Sequence, residues 1–279
     1  MVTLNDSGHS AATQREPPVE KMPFHWLLAK MGKRVLRPGG LELTRRMLAE
    51  LDIGPGDDVA EFAPGLGVTA RMTLALSPKT YIAIERDHDA AATVERYLSG
   101  PTQRCIVGSA ETTPLPNASA SVIYGEAMLS MQPATTKAKI VAEAVRLLRS
   151  GGRYGIHELC LKPNNIVPKI RDAIADDLSD EIHVGVRPLT MAEWRELVAA
   201  SGLAVVAEHT APMHLLEPLR IVRDEGLLGA LRFAWNVTCH AQARRRVLAM
   251  RKMFRKYEPH LAALVLVAVK SNDLIQTND

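Results

Sequence analysis

From about residue 41 to residue 270, short apolar runs alternate with longer segments whose apolar residues recur every three or four positions. Continuous runs such as Val122-Ile123-Tyr124 and Leu264-Val-Leu-Val-Ala-Val269 predict strands buried on both faces, as in a parallel sheet. The pattern places strands at 57–62, 80–85, 103–107, 120–125, 152–160, 203–210 and 261–269, with helices between them at 67–76, 87–98, 134–149 and 190–201. Two more helices precede the first strand. His25 to Leu36 has an apolar side of Trp26, Leu27, Met31, Val35 and Leu36; Arg37-Pro-Gly-Gly40 breaks it, and Leu41 to Leu51 forms the second. This alternation specifies an α/β fold, a doubly wound, seven-stranded and mostly parallel sheet with N-terminal helices. Right-handed crossovers bring the C-terminal ends of its parallel strands to one edge, where ligands bind.

The spacing lengthens after the sixth strand. About residues 213–259 read as a helical cap inserted before the last strand, a common way to cover a substrate. Leu215 to Lys256 is apolar with a basic side: residues 214–256 hold ten Lys/Arg against Glu217, Asp224 and Glu225. Met213, Leu215, Leu216, Leu219, Phe233, Trp235, Met250, Met253 and Phe254 are available either to line an apolar cavity or to pack the cap onto the sheet. Residues 1–22 and 271–279 read as flexible polar tails around a single domain at 23–270.

Composition sets limits more than direction. The chain is 47% hydrophobic and 23% charged, and a net charge of +3 in 279 residues is too small to select nucleic acid as a partner. Cys105, Cys160 and Cys239 lie far apart with no C-x-x-C pair, which fits a reduced, cytoplasmic setting. No run approaches the roughly 18 apolar residues of a membrane span, so no stable membrane insertion is expected, although the basic run Arg244-Arg-Arg246 with Arg251, Lys252, Arg255 and Lys256 suits solvent, an anionic substrate or a membrane surface. The histidines show no H-E-x-x-H or similar spacing, and no metal is expected.

The chemistry starts at Val59-Ala-Glu-Phe-Ala-Pro-Gly-Leu-Gly67, followed by Glu85-Arg86 at the end of the second strand. A buried strand, a glycine turn, a helix and a strand ending in a carboxylate form a nucleotide site. Gly65 and Gly67 let the backbone approach a ligand, the helix directs its positive end at an anionic group, and Glu85 accepts ribose hydroxyls. Gly65-Leu-Gly67-Val-Thr-Ala70 alone also fits a nicotinamide dinucleotide site, or a tight turn with no ligand.

Other segments narrow the choice. Glu61-Phe-Ala63-Pro-Gly65-Leu-Gly67 is similar to the acidic-x-Gly-x-Gly-x-Gly end of the first strand in class I S-adenosylmethionine-dependent methyltransferases, with alanine at the first glycine. Gly108-Ser-Ala-Glu-Thr-Thr-Pro114 resembles that family's Gly-Asp-Ala-Glu-x-x-Pro segment. Leu148-Arg-Ser-Gly-Gly152 resembles its Leu-x-Pro-Gly-Gly turn, and Arg187-Pro-Leu-Thr-Met-Ala-Glu-Trp194 the segment opening its penultimate helix. The resemblance covers about Leu41 to Lys270 and falls nearest the small-molecule branch that includes the ubiquinone/menaquinone-biosynthesis enzymes. It implies a Rossmann-like methyltransferase fold, S-adenosyl-L-methionine as cofactor, and contacts from Glu61, Ala63, Gly65, Gly67, Glu85, Arg86, Ser109, Ala110, Glu111 and Tyr124. Ser109 stands where the family has an aspartate for the adenine amine, with Glu111 as a substitute. No Tyr-x-x-x-Lys pair supports the alternative, an NAD(P)-dependent oxidoreductase.

Methyl transfer needs alignment and a dry pocket more than a catalytic triad. Where the acceptor must lose a proton, the candidate bases are Glu126, His157 and His183, each with a structural role as the alternative. Strand alternation directs only one of His157 and Glu158 toward a pocket. An Asn/Asp-Pro-Pro-Tyr pattern for amino groups of bases or glutamine is absent after the fourth strand, which argues against those substrates; the branch resembled and the apolar residues of the cap make a small, lipophilic molecule the expected acceptor. A methyltransferase-like binding protein without catalysis is the remaining alternative, motivated by Ala63 and Ser109.

Overall fold

The structure is a computed structural model and describes residues 18–271. The tails expected at 1–22 and 271–279 lie outside the described residues except for 18–22 and 271. Pro18 to Met22 is a turn: the N–H groups of Lys21 and Met22 donate to the Pro18 carbonyl, Met22 is buried, and Arg246 donates to the carbonyls of Val19 and Met22.

The strands are β1 (Asp58–Phe62), β2 (Thr80–Glu85), β3 (Gln103–Val107), β4 (Ala120–Glu126), β5 (Leu148–Leu161), β6 (Leu189–Thr190), β7 (Leu203–Pro212) and β8 (Leu261–Lys270). Seven of them match the expected strands in order; the eighth, the two-residue β6, pairs with the end of β5. The sheet order is β3-β2-β1-β4-β5-β8-β7, with β8 antiparallel to both neighbours. Every residue of β1 is buried, as its place at the centre of a two-sided sheet requires, including its two carboxylates, Asp58 and Glu61. The order reverses between β1 and β4, which opens a crevice at their C-terminal ends.

The helices are α1 (Phe24–Lys30), α2 (Gly40–Leu51), α3 (Val68–Leu74), α4 (His88–Glu95), α5 (Ala134–Leu147), α6 (Pro168–Ile182), α7 (Met191–Ala199), α8 (Pro218–Cys239) and α9 (Ala241–Lys256). Leu43, Met47 and Leu51 of α2, with Ala70 and Val94, cover one sheet face against Val59, Tyr81, Val122 and Val265. Ile140, Ala144 and Leu147 of α5, with Trp194 and Val198 of α7, cover the other against Ile123, Tyr154 and Leu264. The seat of α2 depends on Gly155, since a Cβ there would stand 3.0 Å from Leu51 Cδ1. A third apolar cluster joins α1, α6, α8 and α9 beyond the end of β5, through Leu27, Leu178, Phe233, Met250 and Leu161.

Three elements depart from the expected pattern. The helix expected at His25–Leu36 ends at Lys30, because Gly32 takes φ +99 and the next residues run as an extended strap. Helix α6 was not expected; its one-sided spacing of Ile170, Ile174, Leu178 and Ile182 is diluted by acidic residues, and only Ile174 and Leu178 are buried. The cap is two helices, and α8 breaks at Gly226, where φ is +73 and ψ is 170. Among the described residues no helix is long and apolar enough to cross a membrane.

The strap, the turn after it and the start of α2, residues 33–41, are held by the cap. Glu225 Oε1 accepts the N–H groups of Arg34 and Val35, both at 2.8 Å, and Asp224 accepts that of Leu41 at 3.0 Å. Lys33 Nζ, fully buried, stands 3.6 Å from Glu225 and 3.9 Å from Asp224, and burial lowers its pKa. Removing one member of such a buried group strands the other charge, which costs about 3–5 kcal/mol. Glu225→Ala is therefore expected to lower the urea-unfolding free energy by that order, and Lys33→Met/Glu225→Met by markedly less; equal losses would show that the charge pairing is not what holds the strap.

Candidate active site

The crevice between β1 and β4 holds a cavity of about 510 Å³. Its floor is built from the ends of the central strands. β1 delivers Glu61 and is followed by Ala63; β4 ends in Glu126 and is followed by Ala127. Both alanines are left-handed, at φ +53 and +51, a conformation that costs a residue bearing a Cβ roughly 1–2 kcal/mol. Two adjacent strands thus turn sharply at the point where the sheet order reverses. Such strained positions persist where the surrounding structure fixes them.

Gly65 has φ +55, and a Cβ there would meet nothing within 4 Å, so its backbone is open to the cavity. Its N–H donates to Glu85 Oε2 at 3.0 Å, and the Asp87 N–H donates to Oε1 at 3.0 Å. Glu85 is thereby fixed at the rim. Arg86 is exposed beside it, and Ser109, Ala110 and Glu111 complete that side. The Ser109 hydroxyl accepts the Glu111 N–H at 3.1 Å, and Glu111 lies 3.7 Å from Lys139. Of the ten residues nominated for the cofactor, eight line the cavity. Gly67 caps α3 at φ +69, and a Cβ there would lie 2.9 Å from the Tyr97 ring. Tyr124 lies behind Glu61, donating to its Oε2 at 2.7 Å and sharing a 2.6 Å bond with Thr73.

The two carboxylates of the floor have opposite electrostatics. Burial pushes Glu61 up to about 7, against the hydroxyl bonds from Tyr81 at 2.5 Å and Tyr124. Burial also opposes ionisation of Glu126, yet Arg37 and His157 hold it down at about 2. Its Oε1 receives Thr44 at 2.6 Å and His157 Nδ1 at 2.7 Å; its Oε2 receives Thr69 and the Arg37 guanidinium at 3.2 Å. Such a carboxylate stays ionised and has little affinity for an acceptor's proton. His157 is fully buried and spans from Glu126 to the Pro38 carbonyl, 2.6 Å from Nε2, so it faces the cluster and not the cavity. The next residue, Glu158, points to the opposite side, where it accepts the N–H groups of Met128, Leu129 and Ser130. His183 is an exposed C-cap of α6 at φ +61, outside the cavity wall.

Two residues that the sequence did not nominate do line the cavity. Arg37 is 8% exposed, and among the described residues its Nε and Nη2 have no hydrogen-bond partner. His25 is pushed down to about 4 by burial, so its ring is neutral, and among the described residues its Nδ1 is also without a hydrogen-bond partner. It borders a second, apolar chamber of about 70 Å³ that shares His25, Leu36, Ala127 and Met131 with the main cavity and is walled by Phe24, Leu178, Met213 and Phe254. In the sequence these two appear only at a helix start and a helix break; the signal was a cation held beside Pro38-Gly-Gly, just before the second helix. Among the described residues no cluster of three or more His, Cys, Asp or Glu side chains could hold a metal ion.

Comparison with known proteins gives this crevice a family. Residues 60–156 match the family model described as a methyltransferase domain. A Haemophilus influenzae protein of uncharacterised function is 30% identical over 251 residues, covering 88% of this chain and 97% of that one. In architecture the chain is similar to a Haemonchus contortus phosphoethanolamine N-methyltransferase (TM-score 0.67, 11% identity, 89% of this chain and 57% of that one). It is similar also to a geranyl diphosphate methyltransferase solved with S-adenosylmethionine (TM-score 0.60, 15% identity, 82% and 84%) and to the [4+2]-cyclase SpnF (TM-score 0.65, 15% identity, 91% and 97%). The match spans β1 to β5, the strands that build the floor just described, and with it the chain belongs to the class I S-adenosylmethionine-dependent methyltransferases.

Proposed function

We propose that the cavity binds S-adenosyl-L-methionine and that the chain transfers its methyl group to a small, lipophilic molecule. The observation that carries this reading is the fixed Glu85 carboxylate facing the same cavity as the left-handed Ala63–Gly65 turn and buried Glu61. A volume near 510 Å³ suits a nucleoside-sized ligand. Glu85 would hold the ribose hydroxyls, the Ser109–Glu111 segment the adenine edge, and ionised Glu61 the amino-acid ammonium. Arg37 offers the N–H groups of its Nε and Nη2 to an anionic group. When bound, the cofactor supplies a sulfonium methyl for in-line displacement, so alignment and exclusion of water carry most of the burden.

The same reading extends to the rest of the chain. Residues 23–270 act as one methyltransferase domain with 213–259 as the acceptor cap. Glu126, saturated by four partners, is a positioning residue for Arg37, and His157 positions Glu126; neither acts as a base. His25, neutral and unpartnered at the entrance to the apolar chamber, would accept a hydrogen bond from the methyl acceptor. The chamber's apolar walls support a lipophilic acceptor, as does the fold relative named for geranyl diphosphate. The free thiols of Cys105, Cys160 and Cys239 suit a reduced, cytoplasmic compartment.

Three measurements test the assignment. In titration calorimetry the chain is expected to bind S-adenosylhomocysteine, and Glu85→Ala to weaken binding by about 3 kcal/mol, roughly a hundredfold. NADH binding in place of either adenosyl compound would return the site to the oxidoreductases. The raised Glu61 pKa gives a pH dependence with a defined sign. Below about 7 the carboxyl is protonated and cannot pair with an ammonium. Affinity for S-adenosylhomocysteine should therefore rise about tenfold between pH ~6 and ~8, and Glu61→Gln should flatten the profile; an unchanged slope in that variant would remove Glu61 from the site. Arg37→Gln separates two anions. Loss of affinity for S-adenosylhomocysteine but not for methylthioadenosine, which lacks the amino-acid carboxylate, places the cofactor's carboxylate on Arg37. Unchanged affinity for both assigns Arg37 to an anionic acceptor, and equal loss of both excludes direct anion binding.

A further inference from the structure

The cap carries a surface that the cavity does not use. Beyond the break at Gly226, Ala230 and Phe233 pack α8 inward, while Leu227, Leu228, Leu231 and Trp235 face solvent. At 100° per residue these four fall within an arc of about 100°, a continuous stripe on the outer side of the helix. Leu228 is 82% exposed and Trp235 70%, and Leu219, before the break, is 76% exposed. Soluble monomers seldom leave a contiguous apolar patch of this kind without a partner.

The surrounding charge selects the partner. All three carboxylates of residues 214–256 are already committed. Glu217 pairs with Arg251 and Arg255, while Asp224 and Glu225 are buried against Lys33 and the strap. The charge left facing outward is positive: Arg223, Arg232, Arg244, Arg245 and Lys252 are exposed. On α9, Arg244, Leu248 and Lys252 recur every four residues, so an exposed apolar side chain again sits between cations on one face. Two copies of this face would bring cations against cations, whereas an anionic bilayer meets the apolar stripe and the charge together.

We propose that the outer face of α8 docks on an anionic lipid surface, with Leu227, Leu228, Leu231 and Trp235 at the headgroup–acyl boundary and the flanking arginines on lipid phosphates. The location suits the proposed chemistry. A surface groove of about 710 Å³ at the start of α8, bordered by Leu219 and Arg223, shares Met213, Leu215 and Phe254 with the apolar chamber beside the main cavity. A lipid-dissolved acceptor would thus enter close to the docking face. This last link rests on the methyl-transfer reading; the docking itself does not.

The test is co-sedimentation of the full chain with phosphatidylglycerol/phosphatidylcholine vesicles and with phosphatidylcholine vesicles alone. The chain is expected to pellet with the anionic vesicles, less so as salt rises, and to stay in solution with the neutral ones. Leu228→Asp/Leu231→Asp should retain the parent's melting temperature and S-adenosylhomocysteine affinity while losing roughly tenfold or more of the vesicle affinity. Arg244→Glu/Arg245→Glu should weaken it in the same direction. Absence of pelleting by the parent, or equal pelleting of the aspartate variant, overturns the proposal. A parent dimer that the aspartate variant converts to a monomer, without vesicle binding, gives the face to a second copy of the chain. Because cofactor affinity is read separately, failure of docking and failure of the methyl-transfer reading are distinguishable.

Discussion

The Glu126 carboxylate is the point on which the architecture of the site depends. It ends β4, and through its four partners it ties together β5 (His157), α2 (Thr44), α3 (Thr69) and the strap before α2 (Arg37). A carboxylate in a buried position costs several kcal/mol unless it is paired and fully hydrogen-bonded. Here the pairing is complete, and the requirement works in reverse: β4, β5, α3 and the adjoining strap and α2 must meet at one place for the charge to be tolerated. The cavity floor is fixed as a by-product of satisfying that charge.

The neighbouring Glu61 shows how one floor supports a second behaviour. It too is buried, and Arg37 lies close enough to favour its ionisation, but its oxygen bonds come from neutral tyrosine hydroxyls. With the cation committed to Glu126, burial wins at Glu61 and its carboxyl stays near the neutral range. A group poised there can take a charge when a cationic ligand arrives, whereas one held at about 2 cannot change state at all. The division of labour between the two carboxylates follows from which of them Arg37 touches.

The strap extends this dependence to the cap. Asp224 and Glu225 lie at the break in α8, and they hold the backbone at Arg34, Val35 and Leu41, on either side of the turn that delivers Arg37 to Glu126. The side of the cap that faces the strap is therefore fixed by hydrogen bonds and ion pairs, while the opposite side of α8 carries leucines and a tryptophan into solvent. One helix thus belongs to two interfaces, one internal and satisfied, the other outward and apolar.

Local pattern carried much of this into the sequence. Apolar runs of strand length and the glycine turn at 65–67 are properties of adjacent residues, so the sheet, its helices and the Glu61–Glu85 side of the cavity were legible without a structure. The resemblance at Gly108–Pro114 added the rest of that side. What the sequence could not reveal was set by long-range pairing. Arg37 and Glu126 are brought together only because the sheet order reverses between β1 and β4 and because Glu225, some 190 residues away, bends the strap. For the same reason His157 and His183, both plausible bases by residue type, stand outside the cavity, and His25, unremarked at the start of a helix, stands in it. Residue identity along the chain determined the sheet and one wall of the site; the satisfaction of buried charge in three dimensions decided which of the other ionisable side chains face the cavity.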